Sequence, residues 1–159
     1  MQKIIFALAA AMLVSVTTTA QAQEVRPDRL IKYRQAILRA QNWNAGIMAG
    51  MIKGNRPYDK DAFIKRATWL ESLSHMAWEG FPPGSDQGAP TKAKPEIWKE
   101  QAKFNDYADK LQIETAKLVV AAKTGDMNQI KPAFGNVDKA CNNCHLPLNT
   151  KKEAAKTSS

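Results

Sequence analysis

The six residues ACNNCH, from Ala140 to His145, hold both of the chain's cysteines and one of its two histidines. Three chemistries use such a cluster: a redox disulfide, a zinc knuckle and a covalently attached haem. A structural disulfide is a poor reading, because a bridge closing so small a loop removes little entropy from the unfolded chain. On a helix, residues three and four apart share a face. Cys141, Cys144 and His145 then turn two sulfurs and an imidazole to one side. That suits a flat macrocycle held by two bonds, with the imidazole reaching its iron from below. The spacing C-x-x-C-H is the attachment signature of haem c.

The rest of the chain decides among the three. A thioredoxin-like pair opens a helix inside a βαβ pattern, and strand signals are nearly absent here. A zinc knuckle needs four ligands. Beyond the cluster only His75 is left, with no further cysteine. One haem c per chain is the expected cofactor, with His145 as the proximal iron ligand.

Four helical stretches lead to the motif. The first follows Pro27-Asp28, with Asp28 expected as N-cap, and runs to Gly54; Leu30, Ile37, Leu38, Ala45, Met48 and Ile52 keep a three-to-four spacing. The second opens near Asp59 and carries Phe63, Ala67, Leu70 and Leu73 until EGFPPG ends it. Residues Gly80 to Pro95 hold four of the chain's eight prolines and read as loop. A third helix is expected to start at Pro95, a residue suited to a first helical turn, and to run to Thr124-Gly125. The fourth, DMNQIKPAFGNVDKACNNCH, is capped by Asp126, but Pro132 argues against one unbroken helix: either the early part is a separate turn or the helix kinks there, and the dependable part starts near Ala133. Helices joined by short turns and one long loop give an all-α, antiparallel four-helix bundle with covalently bound haem.

The N-terminus reads as a secretory signal over residues 1–22. Lys3 supplies the positive start, Ile4 to Val16 the apolar run, and Ala20-Gln21-Ala22 the cleavage site. The run falls short of the ~20 apolar residues a membrane span requires. One domain, residues 23–159, would remain in the periplasm, with no membrane attachment after cleavage. The basic surplus, 23 Lys and Arg against 15 Asp and Glu, is scattered rather than clustered. It reads as a solvated surface rather than a nucleic-acid face, and favours anionic or neutral partners.

The whole pattern resembles the cytochrome c′ family, the class II c-type cytochromes. The resemblance is carried by IKYRQAIL early in the chain, MIKGNRPYD at the first turn, PEIWKEQAKF at the third helix and AFGNVDKACNNCH near the end. It implies a choice at the distal face of the haem. Members with only an apolar side chain there are five-coordinate and bind small gases. Relatives of the cytochrome c-556 type place methionine there and are six-coordinate electron carriers. The position falls on Leu38, which cannot ligate iron, and the resemblance makes Arg34, one turn earlier, a partner of a haem propionate. It also implies a homodimer formed through the early helices.

Other residues receive plainer roles. Met48, Met51, Met76 and Met127 are expected as core filler or surface, and His75 at a bundle end or on the surface. Trp43, Trp69, Trp78 and Trp98 are expected to pack, with Trp78 and Phe81 as candidates for closing one end of the pocket. One departure from the family stands at Pro147 and Asn149, where many members continue the helix and carry an aromatic and an arginine. The last helix should therefore end or kink just past His145, with no arginine beside the imidazole.

The functional expectation is a periplasmic haem protein that binds nitric oxide or carbon monoxide and can transfer electrons. A peroxidase would need a distal acid–base group, and none can be placed, so the protein is not expected to be an enzyme. Its redox partner is not legible in these residues.

Overall fold

The computed structural model describes residues 26–148, with side chains described as far as His145. The expected signal segment and residues 149–159, Asn149 among them, lie outside these residues. The regular structure among the described residues is helical. It comprises α1 (Pro27–Ile52), α2 (Lys60–Met76), a 3₁₀ turn (Ala77–Gly80), α3 (Glu96–Lys99), α4 (Gln101–Thr124) and α5 (Met127–Leu148). The long helices pack in sequence order, α1 on α2, α2 on α4 and α4 on α5. Short connections set α1 against α2 and α4 against α5 antiparallel, and the long connection from residue 77 to 100 brings α4 back onto α2, which gives the four-helix bundle.

The ends follow local chemistry. Arg26, not Asp28, caps α1, because Pro27 takes the first helical position and Asp28 falls within the first turn. There Asp28 pairs with Arg26 at 3.0 Å and Lys32 at 3.6 Å. At α2 the Asp59 carboxylate accepts from the Ala62 amide at 3.0 Å, as an N-cap should. Gly125 ends α4 at φ +75°, a left-handed conformation that glycine adopts without penalty.

Two expectations about helix continuity need correction. The third stretch is not one helix: at Glu100 the backbone leaves helical geometry, with φ −113° and ψ 50°, separating α3 from α4. Ile97 and Phe104 on either side both enter one buried cluster with Phe81, and the Trp98 indole donates to the Pro82 carbonyl at 3.0 Å. Tertiary packing overrides the local periodicity here. The fourth stretch, conversely, is unbroken. Asp126 caps it, its carboxylate accepting from the Asn128 amide at 2.8 Å. Pro132 forfeits only the ladder bond to the Asn128 carbonyl, and both residues are exposed, so water can replace it. Past His145, α5 is helical through Pro147 to Leu148. The bond lost there would have gone to Asn143, again exposed.

The main core is built by Met48 from α1, Phe63, Ala67 and Leu70 from α2, Leu111 and Leu118 from α4, and Ile130 and Val137 from α5. A smaller cluster of Phe81, Ile97 and Phe104 lies under the long connection. Buried polar ties fix helix register: Gln41 donates to the Leu73 carbonyl at 2.8 Å. Among the described residues no helix is long and apolar enough to cross a membrane.

Candidate cofactor site

Between the two clusters lies a cavity of about 780 Å³, within the range of ~300–1,000 Å³ usual for cofactor sites. Its α5 wall carries Cys141, Cys144 and His145, and its α1 wall carries Arg34 and Leu38. The five residues singled out in the sequence are thus brought to one cavity. Cys141 packs against the main core, whereas Cys144 and Leu38 both pack around Phe81, Ile97 and Phe104. The two sulfurs therefore bridge the two clusters.

Both cysteines are half-buried thiols. Burial, and then the neighbouring Cys141, push the Cys144 thiol up to about 11. It is uncharged at neutral pH and adds no charge to an apolar wall. A thiol at this place can add across a vinyl group, forming a carbon–sulfur bond while its hydrogen goes to the neighbouring carbon.

Arg34 is 1 % exposed. Its Nη1 donates to the carbonyls of Gly80 and Ser85, each at 2.8 Å, and to the Ser85 hydroxyl at 3.1 Å. Its Nη2 donates to the Thr91 hydroxyl at 3.2 Å. The guanidinium carbon lies 4.5 Å from the centre of the Phe81 ring and 5.4 Å from that of Trp98. Burial lowers its pKa and the charge of Asp86 opposes the shift, but a guanidinium stays cationic at any working pH. Among the described residues no carboxylate is paired with it. A buried cation beside a cavity can accept an acidic group there, and Arg34 keeps N–H groups for one, since these contacts do not use all five donors.

Trp78 and Phe81 line the cavity, as do Ile97, Phe104 and Tyr107. Trp98 packs on Phe81, with ring centres 6.2 Å apart. Trp43 and Trp69 do not pack inside the bundle: they are 67 % and 44 % exposed, a correction to their expected role. His75 stays at the surface, 3.0 Å from Glu71. No methionine among the described residues lines the cavity. Sequence reasoning missed Gln35, whose side chain reaches the Pro90 carbonyl at 2.9 Å, and the contribution of residues 90–93 to the cavity wall. A polar residue next to Arg34 gave no periodic signal, and a loop's path cannot be read from composition.

A half-buried C-x-x-C-H on a bundle helix, facing an apolar cavity of cofactor size with a buried cation on its wall, defines a c-type haem protein. A family model described as Cytochrome C′ matches residues 29–147. Over 130 residues the chain is 35 % identical to a cytochrome c′ of Alcaligenes xylosoxydans xylosoxydans, covering 82 % of this chain and 100 % of that protein. With the cytochrome c′ of Rubrivivax gelatinosus the identity is 37 % over 120 residues, covering 76 % and 93 %. Among solved structures, cytochrome c prime from Shewanella frigidimarina superposes with a TM-score of 0.75 at 40 % identity, over 78 % of this chain and 96 % of that one. A nitrosyl complex of a variant of the Alcaligenes xylosoxidans protein superposes with a TM-score of 0.75 at 34 % identity, over 80 % and 98 %. The chain belongs to the cytochrome c′ family, and its cofactor is covalently attached haem c.

Proposed function

We propose that this chain is an exported, periplasmic haem protein with an open sixth coordination site, which binds nitric oxide and carbon monoxide and can pass electrons. Haem iron with one axial position unfilled takes up such gases. Cys141 and Cys144 would hold the haem through two thioether bonds, His145 would ligate its iron, and Arg34 would donate to a propionate. The observation that carries the reading is Leu38, which lines the cavity from α1 and packs around the same apolar cluster as Cys144. It has no atom able to ligate iron, and its branched side chain on the cavity wall favours a small ligand. The nitrosyl complex of a relative's variant supports the same ligand class.

The chain acts as a binding and electron-transfer protein and not as an enzyme. Two copies associate through the outward face of α1, where Trp43 is 67 % exposed among the small residues Ala36, Ala40, Gly46 and Gly50. Trp43→Glu should convert a dimer to a monomer in sedimentation equilibrium.

Absorption spectra of the haem-loaded protein test the central reading. High-spin ferric and ferrous bands that shift sharply under carbon monoxide are expected. A low-spin ferrous spectrum indifferent to the gas would mean that a protein side chain fills the sixth site, and the protein would be a c-556-type electron carrier.

A further inference from the structure

We propose that Arg34 is a positioning residue whose buried guanidinium fastens the strap from Gly80 to Ala93 onto α1, and so sets access to the cavity. This strap starts at the last residue of the 3₁₀ turn, leads towards α3 and lines the cavity through Phe81, Pro90, Thr91, Lys92 and Ala93. Among the described residues, α1 supplies most of the side-chain hydrogen bonds that tie it down. Arg34 holds Gly80, Ser85 and Thr91, at the start, middle and end of the strap. Gln35 adds Pro90. The guanidinium also lies over Phe81, a strap residue, and over Trp98, whose indole holds Pro82.

The contacts at the near end are close. A Cβ on Gly80 would stand 2.6 Å from that of Arg34, so the strap begins pressed directly against α1. A planar fork suits this duty, because it can serve several acceptors in fixed directions and stack on rings at once. A lysine ammonium brings the charge as a single point on a flexible stem and cannot reproduce that set. A role confined to pairing with an acidic group in the cavity would ask only for the cation. The two roles therefore separate on the conservative substitution. Gas access rests on the open-site reading given above; the fastening of the strap does not.

The experiment compares the haem-loaded wild type with Arg34→Lys and Arg34→Gln by amide hydrogen exchange and by the rate of carbon monoxide association. The Ser85 amide, bonded to the Pro82 carbonyl at 3.2 Å, reports on the strap. Core amides of α4 serve as the reference. Both substitutions should speed strap exchange by about tenfold or more, as loss of local ties does, leave α4 unchanged and raise the association rate. Wild-type exchange in Arg34→Lys would overturn the proposal, since the cation alone would then suffice. Unchanged exchange in Arg34→Gln would overturn it too, and faster exchange with an unchanged gas rate would remove the access role. If the Arg34 variants fail to fold, Thr91→Val cuts one tie, and unchanged exchange at the strap's far end would decide against the proposal. A wild type that ignores carbon monoxide would sink the gas-binding reading while the exchange arm still judges the strap.

Discussion

The hydroxyl oxygens of Ser74 on α2 and Thr115 on α4 lie 3.1 Å apart, both fully buried at the seam between the two helices. Each also reaches a carbonyl of its own helix, Glu71 at 2.6 Å and Leu111 at 2.9 Å. One hydroxyl can thus donate across the seam while the other donates within its helix. Removing either partner leaves the survivor with a carbonyl to serve, so the cost stays near that of one hydrogen bond. Ser74→Ala and Thr115→Val should each lower stability by about 1 kcal/mol. In urea unfolding, the double variant should lose less than the sum of the two.

In the proposed function, Leu38 is the residue that sets the ligand set. Leucine and methionine have similar volume, so Leu38→Met should cost less than about 1.5 kcal/mol in folding. It would place a thioether on the α1 wall of the cavity. The expected result is a low-spin ferrous spectrum and a loss of carbon monoxide binding. A spectrum identical to wild type would show that residue 38 does not face the iron.

Cys144 carries a pH signature in the protein before haem attachment. Its folded pKa is raised to about 11 from the ordinary 9.0, chiefly by burial. A raised value means that the folded state holds its proton more tightly than the unfolded state. The stabilisation is present in full below about pH 9 and is lost as pH climbs towards about 11. Apo protein should lose stability across that window, and Cys144→Ala apo protein should lose less. Haem-loaded protein, whose sulfur no longer ionises, should also lack this component. Chemical denaturation at pH 8 to 11 reads the difference.

Gly80 is set by close approach rather than by an unusual backbone angle. A methyl there would meet Arg34 Cβ at 2.6 Å and the Leu30 carbonyl at 3.2 Å. Neither is a flexible chain end, so α1 or the 3₁₀ turn must shift. Gly80→Ala should destabilise by about 1–3 kcal/mol, measurable as a lower midpoint in urea. At Gly84 an added methyl would meet no atom within 4 Å, but φ is +80°. Gly84→Ala should instead cost only the backbone strain of about 1 kcal/mol.

Residues a turn apart suffice to set the helical class, the cofactor chemistry and much of the core. Helical spacing of Phe63, Ala67 and Leu70 announces a buried face, and C-x-x-C-H at i, i+3 and i+4 presents two sulfurs and an imidazole on one side. These are local properties, legible along the chain. Tertiary packing settled what depends on residues distant in sequence. The break at Glu100 follows from Ile97 and Phe104 sharing one cluster with Phe81. The survival of α5 through Pro132 follows from where its lost bond faces. Trp43 and Trp69, apolar in sequence, stand on outer faces that no periodicity distinguishes from a core position. Above all, the partners of Arg34 lie 46 to 57 residues away. A buried cation takes its partners from the chain that packs over it, and only the folded path of residues 80–93 brings them there.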